Sequence, residues 1–287
     1  MAPSFLIQRC ESTLGAQINT DLRTLSSAEQ IAALKQLFLE RHLLIFRDQV
    51  LSDEDQIKVA RWFGGGYPPC ENVYRISNVA GVGVLGAGEL EFHSDWSFSP
   101  YPPRVLTLYA EEVVADATST RFANSMHAVD RLGAALKARV ESLSALHVFG
   151  VKLAQRNRLS EMSERDPRYI HPAIMTHPES HQPILYVNKN QTDCIVGLAP
   201  ADSEALIGEL FAATYVPENM YEHRWRKNDL LVWDNLALQH SRGDVSHAGP
   251  RTLRRVTIGE KGFYEMYPHM RYDDYVTKDT LTHRASR

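Results

Sequence analysis

The chain has 287 residues, 44% hydrophobic and 23% charged, with a formal net charge of −4 and a sequence pI near 6.3. These values suit a globular protein with a sizeable core and exclude the basic footprint of a nucleic-acid binder. Three widely spaced cysteines, Cys10, Cys70 and Cys194, fit free thiols in a reducing compartment better than a disulfide frame. Residues 1–9 lack a basic stretch followed by a signal-length apolar run, and no apolar run approaches the length of a bilayer span. The expectation is a cytoplasmic, soluble protein with no membrane or nucleic-acid partner, folded as one domain over residues 1–287.

Residues 5–20 read as short strands near a sheet edge. Ser26 and Ser27 open an amphipathic helix with Ile31, Leu34, Leu37 and Phe38 on one face, ending near His42. Leu43-Leu44-Ile45-Phe46 follows as a strand. Ser52 and Asp55 have the spacing of a capping box, and Gly64 stands where a left-handed helix cap is expected. Residues 64–91 are rich in glycine and proline. They serve either as plain connections or as the rim of a pocket, with Tyr74 and Ser77 then candidate substrate contacts. No GxGxxG opens a helix there, which excludes a dinucleotide loop.

Val105–Ala110 reads as a buried strand, 116–124 as a turn and short strand, and 125–140 as a helix. Residues 152–168 are polar and read as a solvated surface excursion rather than a substrate lid. His171, His177 and His181 match no compact zinc spacing and read as loop histidines without a metal role. Residues 184–188 form a strand. Asp202 caps a helix carrying Leu206, Ile207, Leu210 and Phe211. A polar strand at 222–226 and a buried one at 230–233 lead to Asp234 and His240.

The chemistry centres on Phe92-His93-Ser94-Asp95-Trp96. In a strand, His93 and Asp95 share one face and aim an imidazole and a carboxylate at one point. His-x-Asp alone is as readily a solvated loop pair. With His240 as third ligand, the set becomes two histidines and one carboxylate, the facial arrangement of non-haem iron oxygenases. Beyond it, Arg251-Thr252-Leu253-Arg254-Arg255-Val256-Thr257-Ile258 has strand character. Arg251, Leu253 and Arg255 would share the pocket face and Arg254 the other. A buried guanidinium needs an anion, and its fork suits a carboxylate, so an acid ligand is expected.

Taken together, Leu14–Ile18, Phe46–Gln49, His93-Ser94-Asp95, Tyr186-Val187-Asn188, Trp233-Asp234-Asn235 and Gln239-His240 resemble the iron(II)/2-oxoglutarate dioxygenases of the taurine dioxygenase (TauD/TfdA) type, over nearly the whole chain. The resemblance implies a mainly β fold, a double-stranded β-helix (jelly roll, cupin-like) with flanking helices. It implies Fe(II) held by His93, Asp95 and His240, with 2-oxoglutarate and O2 as co-substrates. Arg251 would bind the distal carboxylate of 2-oxoglutarate with Thr120, and Arg255 would face the substrate's acid group or the co-substrate's iron-bound end. The implied reaction hydroxylates an unactivated C–H of a small, anionic substrate while 2-oxoglutarate becomes succinate and CO2. Desaturation or cyclisation in natural-product biosynthesis starts from the same step. Asp95 speaks against halogenation, which needs that position for halide. A non-catalytic jelly-roll binding module and a two-histidine, one-aspartate zinc hydrolase are the alternatives from other classes; no general base for the latter is visible. A homo-oligomer, dimer or tetramer, is expected. Two departures from the family pattern are Ala117-Thr118-Ser119-Thr120, which lacks the usual Gly-Gly and leaves Thr118 as a rival to Thr120, and Met175, where an arginine is common.

Overall fold

Strands that are apolar on both faces can bury them only between two layers, and the chain uses its apolar runs in that way. The computed structural model describes residues 5–150 and 152–270. Residues 1–4, Val151 and 271–287, parts of the single domain expected over 1–287, lie outside the described residues.

The N-terminal elements are β1 (Leu6–Arg9), β2 (Ala16–Asn19), α1 (Ala28–Arg41), β3 (Leu43–Phe46), α2 (Asp53–Phe63), β4 (Tyr74–Ser77) and β5 (Leu90–His93). Then come β6 (Val105–Val113), β7 (Ser119–Asn124), α3 (Ser125–Arg131), α4 (Ala134–Val140), β8 (Ser144–Val148), β9 (Arg168–Pro172) and β10 (Ile174–Thr176). The chain continues through β11 (Pro183–Leu185), β12 (Thr192–Ile195), α5 (Pro200–Thr214), β13 (Met220–Arg224), β14 (Leu230–Asp234), β15 (Leu238–Arg242), β16 (Arg251–Ile258) and α6 (Phe263–Met266). One sheet runs β1-β2-β3-β14-β6-β16-β4 and a second β13-β7-β15-β5, with smaller sheets β12-β8-β9 and β10-β11. The large sheet is antiparallel except at β2–β3. This is a mainly β structure with flanking helices, a jelly roll.

Alternation sorts each strand between two cores. Leu43, Ile45, Leu231, Trp233 and Leu253 point inward and join Phe122 and Leu238 of the second sheet. Leu44, Phe46, Leu230, Val232 and Val256 point outward and are covered by Leu34, Phe38, Val59 and Phe63 of α1 and α2. Each such side chain contributes about 1.5–3 kcal/mol when fully buried. Arg254 follows the same rule. It faces outward under α2, 2.7 Å from Asp53 Oδ1, and donates to Gln56 Oε1 at 2.7 Å.

Local signals hold at several helix ends. Ser27 caps α1, His42 ends it in the left-handed region (φ 59°), and Ser52 and Asp55 close a reciprocal capping box. Others needed correction. Gly64 is not left-handed (φ −80°); the positive-φ residues are Gly65 and Gly66. Gly64 is instead required by packing, since a Cβ there would lie 2.3 Å from Ile258 Cγ2. The helix expected over 125–140 breaks at Leu132 and Gly133 into α3 and α4. Ala199 rather than Asp202 caps α5, because Pro200 takes the first helical position. The strand expected over 184–188 leaves its ladder after Leu185.

The segment 152–168 is exposed at Ser160, Glu161 and 163–165, as a surface excursion would be, but its first part is tied to the fold. Asn157 is fully buried and donates to the carbonyls of Lys152 and Asn190. Asn190 in turn donates to the carbonyls of Lys152, Leu153 and Gln155. Arg156 and Arg158 both pair with Glu204 of α5.

Candidate active site

A cavity opens between the two large sheets. The second sheet supplies His93, His240, Thr120 and Arg242 to its wall, and the first supplies Arg251, Arg255 and Trp233. Register brings the histidines together: His240 of β15 pairs directly with His93 of β5, and their ring centroids are 4.2 Å apart. The strand expected to carry both His93 and Asp95 ends at His93. Asp95 lies in the turn beyond it, so pleat alternation does not aim its carboxylate. Trp96 does part of that work by adopting a left-handed backbone (φ 56°), a conformation that costs of order 1–3 kcal/mol for such a residue. Asn235 does the rest. Its Oδ1 accepts from Asp95 N at 2.8 Å, and its Nδ2 donates to the carbonyls of Asp95 and Pro103, both at 3.0 Å.

Asp95 Oδ1 then lies 3.1 Å from His93 Nε2 and 3.8 Å from His240 Nε2. One ligand atom from each of the three residues falls within 4.8 Å of the others, and all three residues are buried. Protonation makes the arrangement informative. His93 Nδ1 is 2.9 Å from the Glu91 carbonyl, which can only accept, so Nδ1 carries the hydrogen. In the neutral ring Nε2 is then a bare lone pair facing a carboxylate oxygen. Two lone pairs at that distance repel unless a cation lies between them or the ring is doubly protonated. A divalent metal ion fits this donor set. Burial, and next the neighbouring His93, push the His240 imidazole down to about 3, so it is neutral and able to ligate. Burial raises the Asp95 carboxyl, but the Arg255 guanidinium beside it outweighs burial and holds the group below the usual carboxylate range.

Arg251 is buried, and its Nε and Nη1 have no hydrogen-bond partner among the described residues. Burial, and next Arg242, lower its pKa to about 9, so it remains a cation at neutral pH. Thr120 also lines the cavity; its Oγ1 accepts from Trp225 Nε1 at 3.0 Å, which leaves its hydroxyl hydrogen free to donate. Thr118 is not among the lining residues. Arg255, expected to face the substrate's acid group or the co-substrate's iron-bound end, is already paired within the protein. Its Nη1 is 2.9 Å from Asp95 Oδ2, its Nη2 donates to Glu71 Oε2 at 2.8 Å, and its Nε to Thr257 Oγ1 at 3.2 Å.

The two substrate contacts expected on β4 are not brought to the cavity wall. Ser77 bonds Thr252 Oγ1 at 2.9 Å across the ladder, and Tyr74, in register with Arg255, is not a lining residue. Ile76 lines the cavity instead, together with Leu85 and Leu90 of the glycine-rich segment, which therefore serves as rim. Sequence reasoning also missed Arg242 and Gln191, both in the wall. Gln191 is fixed by Ser97 Oγ, which donates to its Oε1 at 2.6 Å.

His171, His177 and His181 stay out of the metal cluster. His171 lies in β9 rather than a loop and bonds the Ser99 carbonyl; His177 is buried and bonds Asp234 Oδ2 at 2.8 Å. Met175 packs against the inner core.

Comparison with known proteins bears on this geometry. The family described as Taurine catabolism dioxygenase TauD, TfdA family matches residues 7–257. An (S)-phenoxypropionate/alpha-ketoglutarate-dioxygenase of Sphingobium herbicidovorans is 32% identical over 84% of this chain and 90% of its own length. An alpha-ketoglutarate-dependent 2,4-dichlorophenoxyacetate dioxygenase of Cupriavidus pinatubonensis is 30% identical over 83% of this chain and 91% of its own. The crystal structure of a taurine dioxygenase from Burkholderia xenovorans superposes with a TM-score of 0.75 at 25% identity, covering 90% of this chain and 92% of that one.

Proposed function

This chain belongs to the taurine catabolism dioxygenase family TauD/TfdA, and from that premise we propose that His93, Asp95 and His240 hold its ferrous ion and that it hydroxylates a small organic acid with an apolar body. Membership makes it an oxidoreductase, an Fe(II)/2-oxoglutarate-dependent dioxygenase. The observation that carries the site assignment is the convergence of one buried ligand atom from each of His93, Asp95 and His240 to within 4.8 Å of one another.

When bound, iron and 2-oxoglutarate supply the oxygen activation, with succinate and CO2 as the co-products. The protein's own residues bind, orient and exclude water. Arg251 and Thr120 take the far carboxylate of 2-oxoglutarate with donors that have no other acceptor among the described residues. Arg255 holds one oxygen of Asp95, so that a single oxygen is turned to the metal position. Leu85, Leu90, Trp96, Phe98, Phe149 and Leu153 line the remaining wall; they keep water out and accept an apolar substrate body.

Charge supports an acidic substrate. Arg242, Arg251 and Arg255 stand against Asp95 and Glu71, a surplus of one positive charge. A divalent ion and dianionic 2-oxoglutarate cancel each other, so a monoanionic substrate closes the balance. The aryloxy acids named for the two relatives have this chemistry.

We further propose one catalytic domain over 1–287, supported by the match over 7–257. A cytoplasmic location is supported by three free cysteines; no helix among the described residues is long and apolar enough to cross a membrane. Size-exclusion chromatography tests the expected homo-oligomer.

The decisive experiment incubates the protein with Fe(II), 2-oxoglutarate and a panel of small carboxylic acids and measures acid-dependent succinate. Succinate should rise with at least one acid, and His93→Ala and Asp95→Ala should abolish it. Full turnover in Asp95→Ala overturns the ligand assignment, and product analysis separates hydroxylation from desaturation or cyclisation.

A further inference from the structure

We propose that Arg242 and Arg251 together form a two-guanidinium receptor for the distal carboxylate of 2-oxoglutarate. The inference rests on the co-substrate reading above and assigns a residue that the sequence did not single out.

Strand geometry places the group. Arg242 follows His240 by two residues on β15, which puts it on the same inward face. The ladder to β7 pairs His240 with Phe122 and Ser241 with Arg121, and Arg242 and Thr120 both line the cavity. Arg251 reaches the same cavity from the facing sheet. Two residues along a strand advance about 6.8 Å. That matches a dicarboxylate bound at the metal by one end, since four carbon–carbon bonds of about 1.5 Å, zigzagged, span roughly 5 Å.

The donors there lack acceptors. Arg242 Nη2 is tied to the carbonyls of Leu85 and Gly88, which fix the side chain without neutralising it. Its Nε has no partner among the described residues, and neither do Nε and Nη1 of Arg251. Asp244, the carboxylate two residues on, accepts from Ser246 N at 2.8 Å instead. Two buried guanidiniums of like charge repel until an anion joins them, and the roughly four lone-pair sites of a carboxylate match Arg242 Nε, Arg251 Nε and Nη1 and the Thr120 hydroxyl. Arg242 therefore serves as a second cationic anchor, and through Leu85 and Gly88 it links co-substrate binding to the cavity rim.

The test uses the full chain loaded with Mn(II) and calorimetric titration with 2-oxoglutarate or with 2-oxopentanoate, which keeps the chelating end and lacks the distal carboxylate. Arg242→Gln should weaken 2-oxoglutarate binding by about 10–100-fold and leave 2-oxopentanoate binding unchanged. Arg242→Lys should fall between Arg242→Gln and wild type. If Arg251→Gln loses 2-oxoglutarate binding while Arg242→Gln keeps it, the two-cation receptor is wrong and the co-substrate reading stands. If neither variant loses it, both fall. Equal losses for both probes would make Arg242 a support of the metal site and overturn the proposal.

Discussion

Arg255 Nη1 lies 2.9 Å from Asp95 Oδ2, and this contact leaves Oδ1 alone facing the two imidazoles. Glu71 anchors the other nitrogen of the fork. The guanidinium thus acts on the carboxylate ligand: it fixes the rotamer of Asp95 and opposes two-oxygen coordination, which would use up an open metal position. Arg255→Gln should weaken metal affinity by about 10–100-fold, the usual effect of losing a group that orients a ligand. Chelator competition measures this, with circular dichroism to show that the fold persists. Unaltered metal affinity, together with a lost preference for an acid over its neutral amide, would assign Arg255 to the substrate instead.

Asn235 makes the matching prediction for the backbone. Its amide satisfies Asp95 N–H, the Asp95 carbonyl and the Pro103 carbonyl, all buried. Removing one partner from a buried polar group costs about 1–3 kcal/mol. Asn235→Ala should lower unfolding stability by roughly 3 kcal/mol or more, and metal affinity with it. Asn235→Asp keeps the acceptor for Asp95 N–H but turns an anionic oxygen on the two buried carbonyls, so it should not rescue the loss. Urea unfolding of the metal-free protein reads the first effect. A change below about 0.5 kcal/mol, the range of ordinary surface substitutions, would show that the turn after β5 holds itself.

Much of this centre is legible in the sequence, because short-range rules act on single strands. Alternation correctly separates Arg251 and Arg255 from Arg254, whose outward side chain meets Asp53. The same rule places Arg242 with His240. What the chain does not display is non-local pairing. Nothing near Arg255 in sequence announces Glu71, and nothing near Asp95 announces Asn235; both depend on which loops meet. Polar loops mislead for a related reason. Asn157 and Asn190 look like solvated residues, yet their amides bind loop carbonyls and are buried. Asp95 shows that a correct grouping can follow from an incorrect geometry: His93 and Asp95 converge because of a turn and a clamp, and the strand ends between them.

His177 and Asp234 brace the connection that carries Asn235 toward the site. Ser180 N donates to His177 Nδ1 at 3.0 Å, so Nε2 bears the hydrogen and donates to Asp234 Oδ2 at 2.8 Å. Asp234 Oδ1 accepts from the backbone of Leu236 and Ala237. His177→Ala should cost about 3–5 kcal/mol, because it strands one oxygen of a buried carboxylate. His177→Gln, which restores a donor, should recover part of that loss. A cost under 1 kcal/mol in urea unfolding would mean that water replaces the ring.

The pH dependence of stability follows from histidines away from the metal ligands. His42, His147, His171 and His223 are all pushed below the ordinary imidazole value, chiefly by burial, His147 to about 3. Each is neutral in the folded chain and free to take a proton once unfolded, at a pKa of about 6.5. Between the folded and unfolded values the unfolded state binds more protons, so stability rises with pH and is lost as pH falls below about 6.5, by about 1.4 kcal/mol per pH unit for each histidine fully in that window. Asp234 acts in a lower range. Burial raises its carboxyl, but the hydrogen bonds it accepts from His177 and from the Ala237 backbone outweigh burial and depress it. Its contribution is therefore complete above about pH 4 and lost only as pH falls through the depressed folded value. Unfolding free energy measured in urea at pH 7, 6 and 5, with chelator present, should fall as the pH falls. His147→Gln should flatten the profile by one proton's worth below about pH 6. A level profile from pH 7 to 5 would mean that these rings are protonated in the fold, against the burial that surrounds them.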